Sequence, residues 1–234
     1  MADEPVLLVT GASAGIGAAT ARLAVESGWR VVLGARREER LAELARELGG
    51  DDAALAVRCD VGSWEDQQAL VARGLEGFGR VDATFANAGF GAPRGFLESD
   101  PEHWRAMIDT NVLGAALTVR AVLGHFRDQG RGHVVLTGSV AGRRALPGSL
   151  YSATKFAVTS IAEGLRLEVR RSDPEADIRV TLISPGMVET EFFDEPPENA
   201  LAGEDIARAV LYALEQPARV DVNEILVRPT RQAN

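Results

Sequence analysis

A single cysteine, Cys59, and a single lysine, Lys155, occur among 234 residues. One thiol excludes a disulfide framework and a zinc site of the four-cysteine type. His103, His125 and His133 lack metal-ligand spacing, so surface or capping roles are expected of them and no metal is. No uninterrupted apolar run approaches the ~18–20 residues of a bilayer span. The opening Met1-Ala-Asp-Glu-Pro5 lacks the basic and apolar regions of a secretory signal. Thirty-four acidic against 25 basic side chains give a net charge of −9, which disfavours nucleic acid and anionic membranes as partners. A soluble protein of a reducing cytoplasm is expected.

What is present is ordinary globular composition, 46% hydrophobic and 25% charged, with no repeat or linker to divide residues 1–234. Short apolar runs alternate with amphipathic stretches. Strands are expected near 5–10, 30–35, 53–59, 81–86, 132–138, 178–184 and 223–228. Helices are expected near 15–28, 38–48, 63–78, 102–129, 149–171 and 203–216. This alternation predicts an α/β fold, a single Rossmann-type doubly wound parallel sheet of about seven strands with helices on both faces. The isolated tryptophans Trp29, Trp64 and Trp104 are expected to be packing residues.

Thr10-Gly11-Ala-Ser13-Ala-Gly15-Ile16-Gly17 falls where the first strand meets the first helix. Glycine lets backbone approach a pyrophosphate there, the helix N-terminus offers N–H groups, and Ser13 adds a hydroxyl. At the end of the second strand, where a carboxylate would bind a ribose 2′-hydroxyl, the chain reads Ala35-Arg36-Arg37. Paired guanidinium groups suit the 2′-phosphate of NADP; the alternative is that they are solvated charges at a helix entrance. Asp60-Val61 and Asn87-Ala88-Gly89 end the third and fourth strands, on the expected binding edge. Asp60 is suited to accept from an adenine amino group and Asn87 to pack on the adenosine, although either could be a turn or cap residue.

Tyr151 and Lys155 stand at i and i+4 and share one face of a helix. A phenol with a reference pKa of ~10 needs a nearby cation before it works as an acid–base group at neutral pH. Twenty-four of the 25 basic residues are arginine, so the one lysine stands opposite one of only two tyrosines. An ammonium is a compact donor that relays protons, which a guanidinium does not, and Lys155 is therefore expected to be chemically required. Ser139, after the fifth strand, is placed to hold a substrate oxygen near Tyr151. Asn111 is a disfavoured polar residue inside an apolar helix, which suggests a packing or relay role.

These motifs together resemble the short-chain dehydrogenase/reductase family along nearly the whole chain. The resemblance assigns the glycine motif to Gly11, Gly15, Ile16 and Gly17, the adenine-side aspartate to Asp60, and the Asn-Ala-Gly turn to Asn87–Gly89. The tetrad falls on Asn111, Ser139, Tyr151 and Lys155. The Pro-Gly turn and its nicotinamide-holding threonine fall on Pro185, Gly186, Val188 and Thr190. It implies hydride transfer between NADP(H) and a carbonyl or alcohol substrate. Tyr151 would exchange the proton, and Lys155 would hold the nicotinamide ribose and lower the Tyr151 pKa. It also implies a homodimer or homotetramer, with the long helices near 102–129 and 149–171 at one interface.

Two departures from the family pattern stand out. Ala86 replaces the first Asn of a frequent Asn-Asn-Ala-Gly, and Ser139 lies one residue closer to Tyr151 than is commonest, a difference the 143–149 loop can absorb. The substrate loop near 190–202 is short, which suggests an open pocket; Phe192 and Phe193 either line it or pack on the core. The tail 223–232 is similar to the branch containing NADP-dependent 3-hydroxy acid dehydrogenases and aldehyde reductases. A non-catalytic NADP(H)-binding regulatory or scaffold protein is the alternative, set against a complete tetrad. An epimerase or dehydratase would need a separate substrate domain, for which the length leaves no room.

Overall fold

The computed structural model describes residues 4–93, 95–148, 150–190 and 198–232. Phe192 and Phe193, and most of the expected substrate loop, lie outside them.

Seven strands form one parallel sheet: β1 (Val6–Thr10), β2 (Arg30–Ala35), β3 (Ala54–Arg58), β4 (Ala83–Ala86), β5 (Arg131–Thr137), β6 (Asp177–Pro185) and β7 (Glu224–Val227). Their spatial order is β3-β2-β1-β4-β5-β6-β7. The chain winds outward from β1 in both directions, so the strand order reverses between β1 and β4. At such a reversal the loops beyond the strands' carboxyl ends part and leave a crevice.

The strands are apolar on both faces because helices cover both. Alternate residues of one strand serve opposite cores: Val6 and Leu8 of β1 join one cluster, Leu7 and Val9 the other. The first cluster packs under α3 (Trp64–Phe78), α5 (Ala115–Asp128) and α6 (Leu150–Ser172), through residues such as Leu70, Val122, Phe126 and Val158. The second packs under α1 (Gly15–Glu26), α2 (Glu38–Glu47) and α7 (Gly203–Leu214), through Ala21, Leu41, Ile206 and Val210. Each fully buried Leu or Phe in these layers contributes about 1.5–3 kcal/mol. Helix starts are set by caps: Ser63 Oγ accepts from Asp66 N, and Asp100 Oδ1 accepts from His103 N.

Two expectations need correction. The helix expected near 102–129 is α4 (Pro101–Ile108), one π turn over Asp109–Gly114, and then α5. The turn widens where Gly114 runs against Val61; a methyl there would come within 3.1 Å of Val61 Cβ, and the Gly114 carbonyl takes bonds from Gln67 Nε2 and Thr118 Oγ1. By length and composition, Pro101–Asp128 is apolar enough to cross a bilayer, although charged residues such as Arg105, Asp109 and Arg120 interrupt it. Its apolar side chains instead cover the sheet as a core helix, with Val119, Val122 and Phe126 buried.

His133 is also no surface residue. It sits inside β5 with 2% exposure, and its Nε2 lies 2.8 Å from Thr181 Oγ1. Because Thr181 donates its own proton to Val222 O, His133 must donate from Nε2, leaving Nδ1 as an unprotonated acceptor with no partner. Burial, with a smaller push from Arg179, lowers its pKa to about 3.

Candidate active site

The carboxyl ends of the strands open into a cleft of about 1620 Å³. Of the catalytic and cofactor-binding residues expected from the sequence, all but Gly17 and Asn111 line it. Those two stand directly behind the wall and shape it.

At one end the β1–α1 turn is built from close backbone contacts. Gly11 has φ +67°, and a methyl on it would come within 2.9 Å of Ala88 Cα. Gly17 packs on the Gly11 carbonyl, where a side chain would overlap it. The N-cap of α1 is Ala14, which offers no side-chain acceptor, so the first N–H groups of the helix are left for something in the cleft. This is a cradle of anion-binding character. Ser13 Oγ accepts from Arg37 Nε at 3.0 Å and Nη2 at 2.9 Å, which draws the guanidinium to the turn, and Arg36 lines the same end.

Asn87 lines the cleft and also ties the strand ends together with its side chain. Its Nδ2 donates to Thr10 O (3.2 Å) and its Oδ1 accepts from Thr137 Oγ1 (3.1 Å). Thr10 Oγ1 accepts from Asn87 N and Ala88 N. One amide thereby ties the ends of β1, β4 and β5 together and forms the cleft floor. Asp60 is engaged locally too: its Oδ1 accepts from Gly62 N, and its N–H donates to Asp66. Both residues also line the cleft.

At the other end the tetrad residues converge. Lys155 is 4% exposed and its Nζ donates to Thr137 O at 2.8 Å, 5.7 Å from the centre of the Tyr151 ring. Ser139 is 8% exposed; its Oγ accepts from Ala141 N, and its hydroxyl hydrogen-bonds Tyr151. The short Ser139–Tyr151 spacing is therefore compatible with contact between the two side chains. Asn111, in the π turn, has every amide group used: Oδ1 accepts from Phe90 N (3.0 Å), while Nδ2 donates to Phe90 O (2.9 Å) and Thr154 Oγ1 (3.1 Å).

Burial dominates the electrostatics of Tyr151 and Lys155. Burial pushes the Tyr151 phenol up to about 12, and the bond with Ser139 pulls it only part of the way back. Burial likewise lowers Lys155 to about 8. Lys155 Nζ, the group expected to lower the Tyr151 pKa, donates to the Thr137 carbonyl, and burial is the largest influence on both groups. Cys59 also lines the cleft, and its thiol is pushed up to about 12 by burial and neighbouring carboxylates, so it is no nucleophile.

Sequence reasoning missed Thr137, Thr154 and Gln232. Thr154 signals itself only as a hydroxyl between Tyr151 and Lys155, and Thr137 only as a polar end to an apolar strand. Gln232 carries no sequence signal, since its contact is made across 45 residues with Met187.

Known proteins with this arrangement are numerous. Residues 5–200 match the family model described as short chain dehydrogenase. An uncharacterized oxidoreductase of Staphylococcus saprophyticus is 38% identical, with 98% of each chain covered. Among solved structures, the closed form of a serine dehydrogenase complexed with NADP+ superimposes with a TM-score of 0.91 at 31% identity, covering 98% of this chain and 96% of that one. A 3-ketoacyl-(acyl-carrier-protein) reductase from Brucella melitensis complexed with NADH gives 0.88 at 29% identity, covering 99% of each. A cleft at the sheet's reversal point, a glycine cradle and a Tyr–Lys pair on the cleft wall thus occur in a chain that matches this family over most of its length: the protein is an oxidoreductase of the short-chain dehydrogenase/reductase family.

Proposed function

We propose that the protein reduces carbonyl compounds, or oxidises the corresponding alcohols, with NADP(H). The single observation that carries this is the convergence of Ser139, Tyr151 and Lys155 on one cleft with the glycine cradle.

The residues fit a dinucleotide. The close approach of Gly11 to Ala88 leaves backbone rather than side chains facing the cleft, and the uncapped N-terminus of α1 suits a diphosphate. Arg37, held by Ser13, and Arg36 would take the 2′-phosphate of NADP(H), a planar fork of donors against phosphate oxygens. Relatives of known structure are described with NADP+ and with NADH, so the arginine pair is what favours the phosphorylated form. Pro185, Gly186, Val188 and Thr190 would hold the nicotinamide end. The bound dinucleotide supplies or accepts the hydride.

Tyr151 is the general acid in reduction and the base in oxidation, exchanging a proton between its hydroxyl and the substrate oxygen. A phenol at about 12 is fully protonated at neutral pH and ready to donate. Ser139, whose hydroxyl lies against Tyr151, holds the same substrate oxygen. Lys155 supplies the positive charge that favours phenolate once a substrate oxygen has taken the proton.

The test is NADPH oxidation over a panel of aldehydes, ketones, quinones, sugars and 3-oxo acids, with Tyr151→Phe as the control. Turnover by the wild type and its loss in the variant are expected. A variant with full activity overturns the mechanism, and NADPH binding without turnover across the panel would favour a regulatory protein.

Self-association accompanies this reading. A shallow groove between α5 and α6 carries Gly124 and Gly164, where nothing approaches within 4 Å of an added methyl. A second copy packing its own helices there would give the homodimer or homotetramer, with sedimentation at micromolar concentration as the measurement. A monomer would contradict it.

A further inference from the structure

Beyond β6 the chain crosses the cleft as Gly186–Thr190 without joining the sheet. Its shape therefore depends on what holds its backbone. On one side Leu201 N donates to Met187 O (2.9 Å), and Glu189 N donates to Leu201 O (2.8 Å). On the other, Gly186 N donates to Val227 O (2.7 Å). The remaining anchor comes from the end of the chain. Gln232 Oε1 accepts from Met187 N at 3.0 Å, while Gln232 N closes a turn on Pro229 O (3.0 Å).

Gly186 admits this contact. A methyl group there would overlap Gln232 Oε1 and come within 3.0 Å of Pro229 Cδ. The glycine has an ordinary φ, so its missing side chain makes room for the tail and does not serve backbone conformation. Thr190, at the far end of the crossing, reaches the phosphate turn: a methyl on Gly15 would come within 3.0 Å of Thr190 Cγ2. A displacement at Met187 is thus transmitted along the strip that borders both the Tyr151 end and the glycine cradle.

We propose that Gln232 is a positioning residue for dinucleotide binding, which latches the C-terminal tail onto the Met187 amide and holds the 186–190 crossing in its binding shape. The proposal rests on the reading that the cleft takes NADP(H). A glutamine that only filled surface space would leave both the crossing and the ligand indifferent to its loss.

The experiment compares wild type with Gln232→Leu, Gln232→Glu, Gly186→Ala and the Gly186→Ala/Gln232→Leu double variant. Calorimetric titration with NADPH reads affinity, and amide hydrogen exchange of residues 186–190 in the free protein reads the crossing itself. Leucine removes the acceptor; Kd should rise about threefold to tenfold, the span of one ordinary hydrogen bond, and exchange should quicken. Glutamate keeps an acceptor and should stay within about twofold of wild type. Gly186→Ala evicts the amide and should match Gln232→Leu, and the double variant should be no worse than either. Wild-type affinity and exchange in Gln232→Leu overturn the latch, as does a fully additive double variant. If wild type binds neither NADPH nor NADH, the dinucleotide reading fails, while the exchange data still decide whether Gln232 holds the crossing.

Discussion

Asn111 Nδ2 donates to Thr154 Oγ1 across 3.1 Å, and Thr154 passes its own proton to Tyr151 O at 2.7 Å. The π turn and the first turn of α6 are thereby joined one residue from Lys155. Both side chains are buried, at 1% and 2% exposure, so water cannot replace either partner.

Thr154→Val removes that hydroxyl and strands a buried amide donor, at a cost of about 1–3 kcal/mol. We expect kcat to fall about tenfold with KM for NADPH within about twofold, and Thr154→Ser to restore kcat. Steady-state kinetics of both variants beside thermal melts check this. A lowered melting temperature with unchanged kcat would reduce Thr154 to a structural role.

Burial of Lys155 disfavours its charged form and so costs the fold stability. Its folded pKa of about 8 lies below the reference 10.5, so the unfolded chain binds more protons between those values. Stability contributed by this site therefore rises as pH climbs from 8 to 10.5, and below 8 the buried ammonium costs about 3 kcal/mol. Lys155→Met should abolish turnover while melting no lower than wild type at pH 7. Lys155→Arg should also be severely impaired, despite its retained charge, since a planar fork does not fit where Nζ meets Thr137 O. Near-normal catalysis by the arginine variant would contradict the role assigned to the ammonium.

His133 predicts the opposite limb. Its pKa of about 3 in the fold lies below the usual 6.5, so the unfolded state takes up a proton first as pH falls. The neutral ring's contribution is complete above 6.5 and is lost towards pH 3, at about 1.4 kcal/mol per unit. His133→Leu should flatten the acid side of a plot of melting temperature against pH between 6 and 4. An unchanged slope would assign acid sensitivity elsewhere.

For the cofactor, Arg37→Ala and Arg36→Ala should each weaken NADPH relative to NADH, by about tenfold for the side chain that carries the phosphate. Fluorescence titration with both nucleotides separates the two arginines. Equal losses for NADPH and NADH in both variants would remove the 2′-phosphate from this end of the cleft.

The central strands were legible because they are apolar on both faces, as Val6–Thr10 shows, and parallel sheets leave that signature. The cleft was legible because glycine at Gly11 and Gly17 answers to backbone contact, and because one lysine among 24 arginines marks itself. The π turn was not: Asp109–Gly114 has helical spacing, and its widening is decided by Val61 and Gln67 from other elements. Nor was the direction of the Tyr151 shift, which follows from how closely other atoms surround the phenol, something spacing does not record. His133 was misjudged for a similar reason, since an imidazole at a strand's start gives no sign of a threonine facing it from the next strand.

The π turn acts as a phase shifter. An α-helix turns by about 100° per residue, so one extra residue in a turn rotates everything after it by that angle. Upstream, α4 can follow the loop against which His103 bonds Gly91; downstream, α5 keeps Val119, Val122 and Phe126 on the sheet. Shortening 109–114 by one residue would force those two faces into a single phase, and the chain would have to give up either the wall of the cleft or a face of its core.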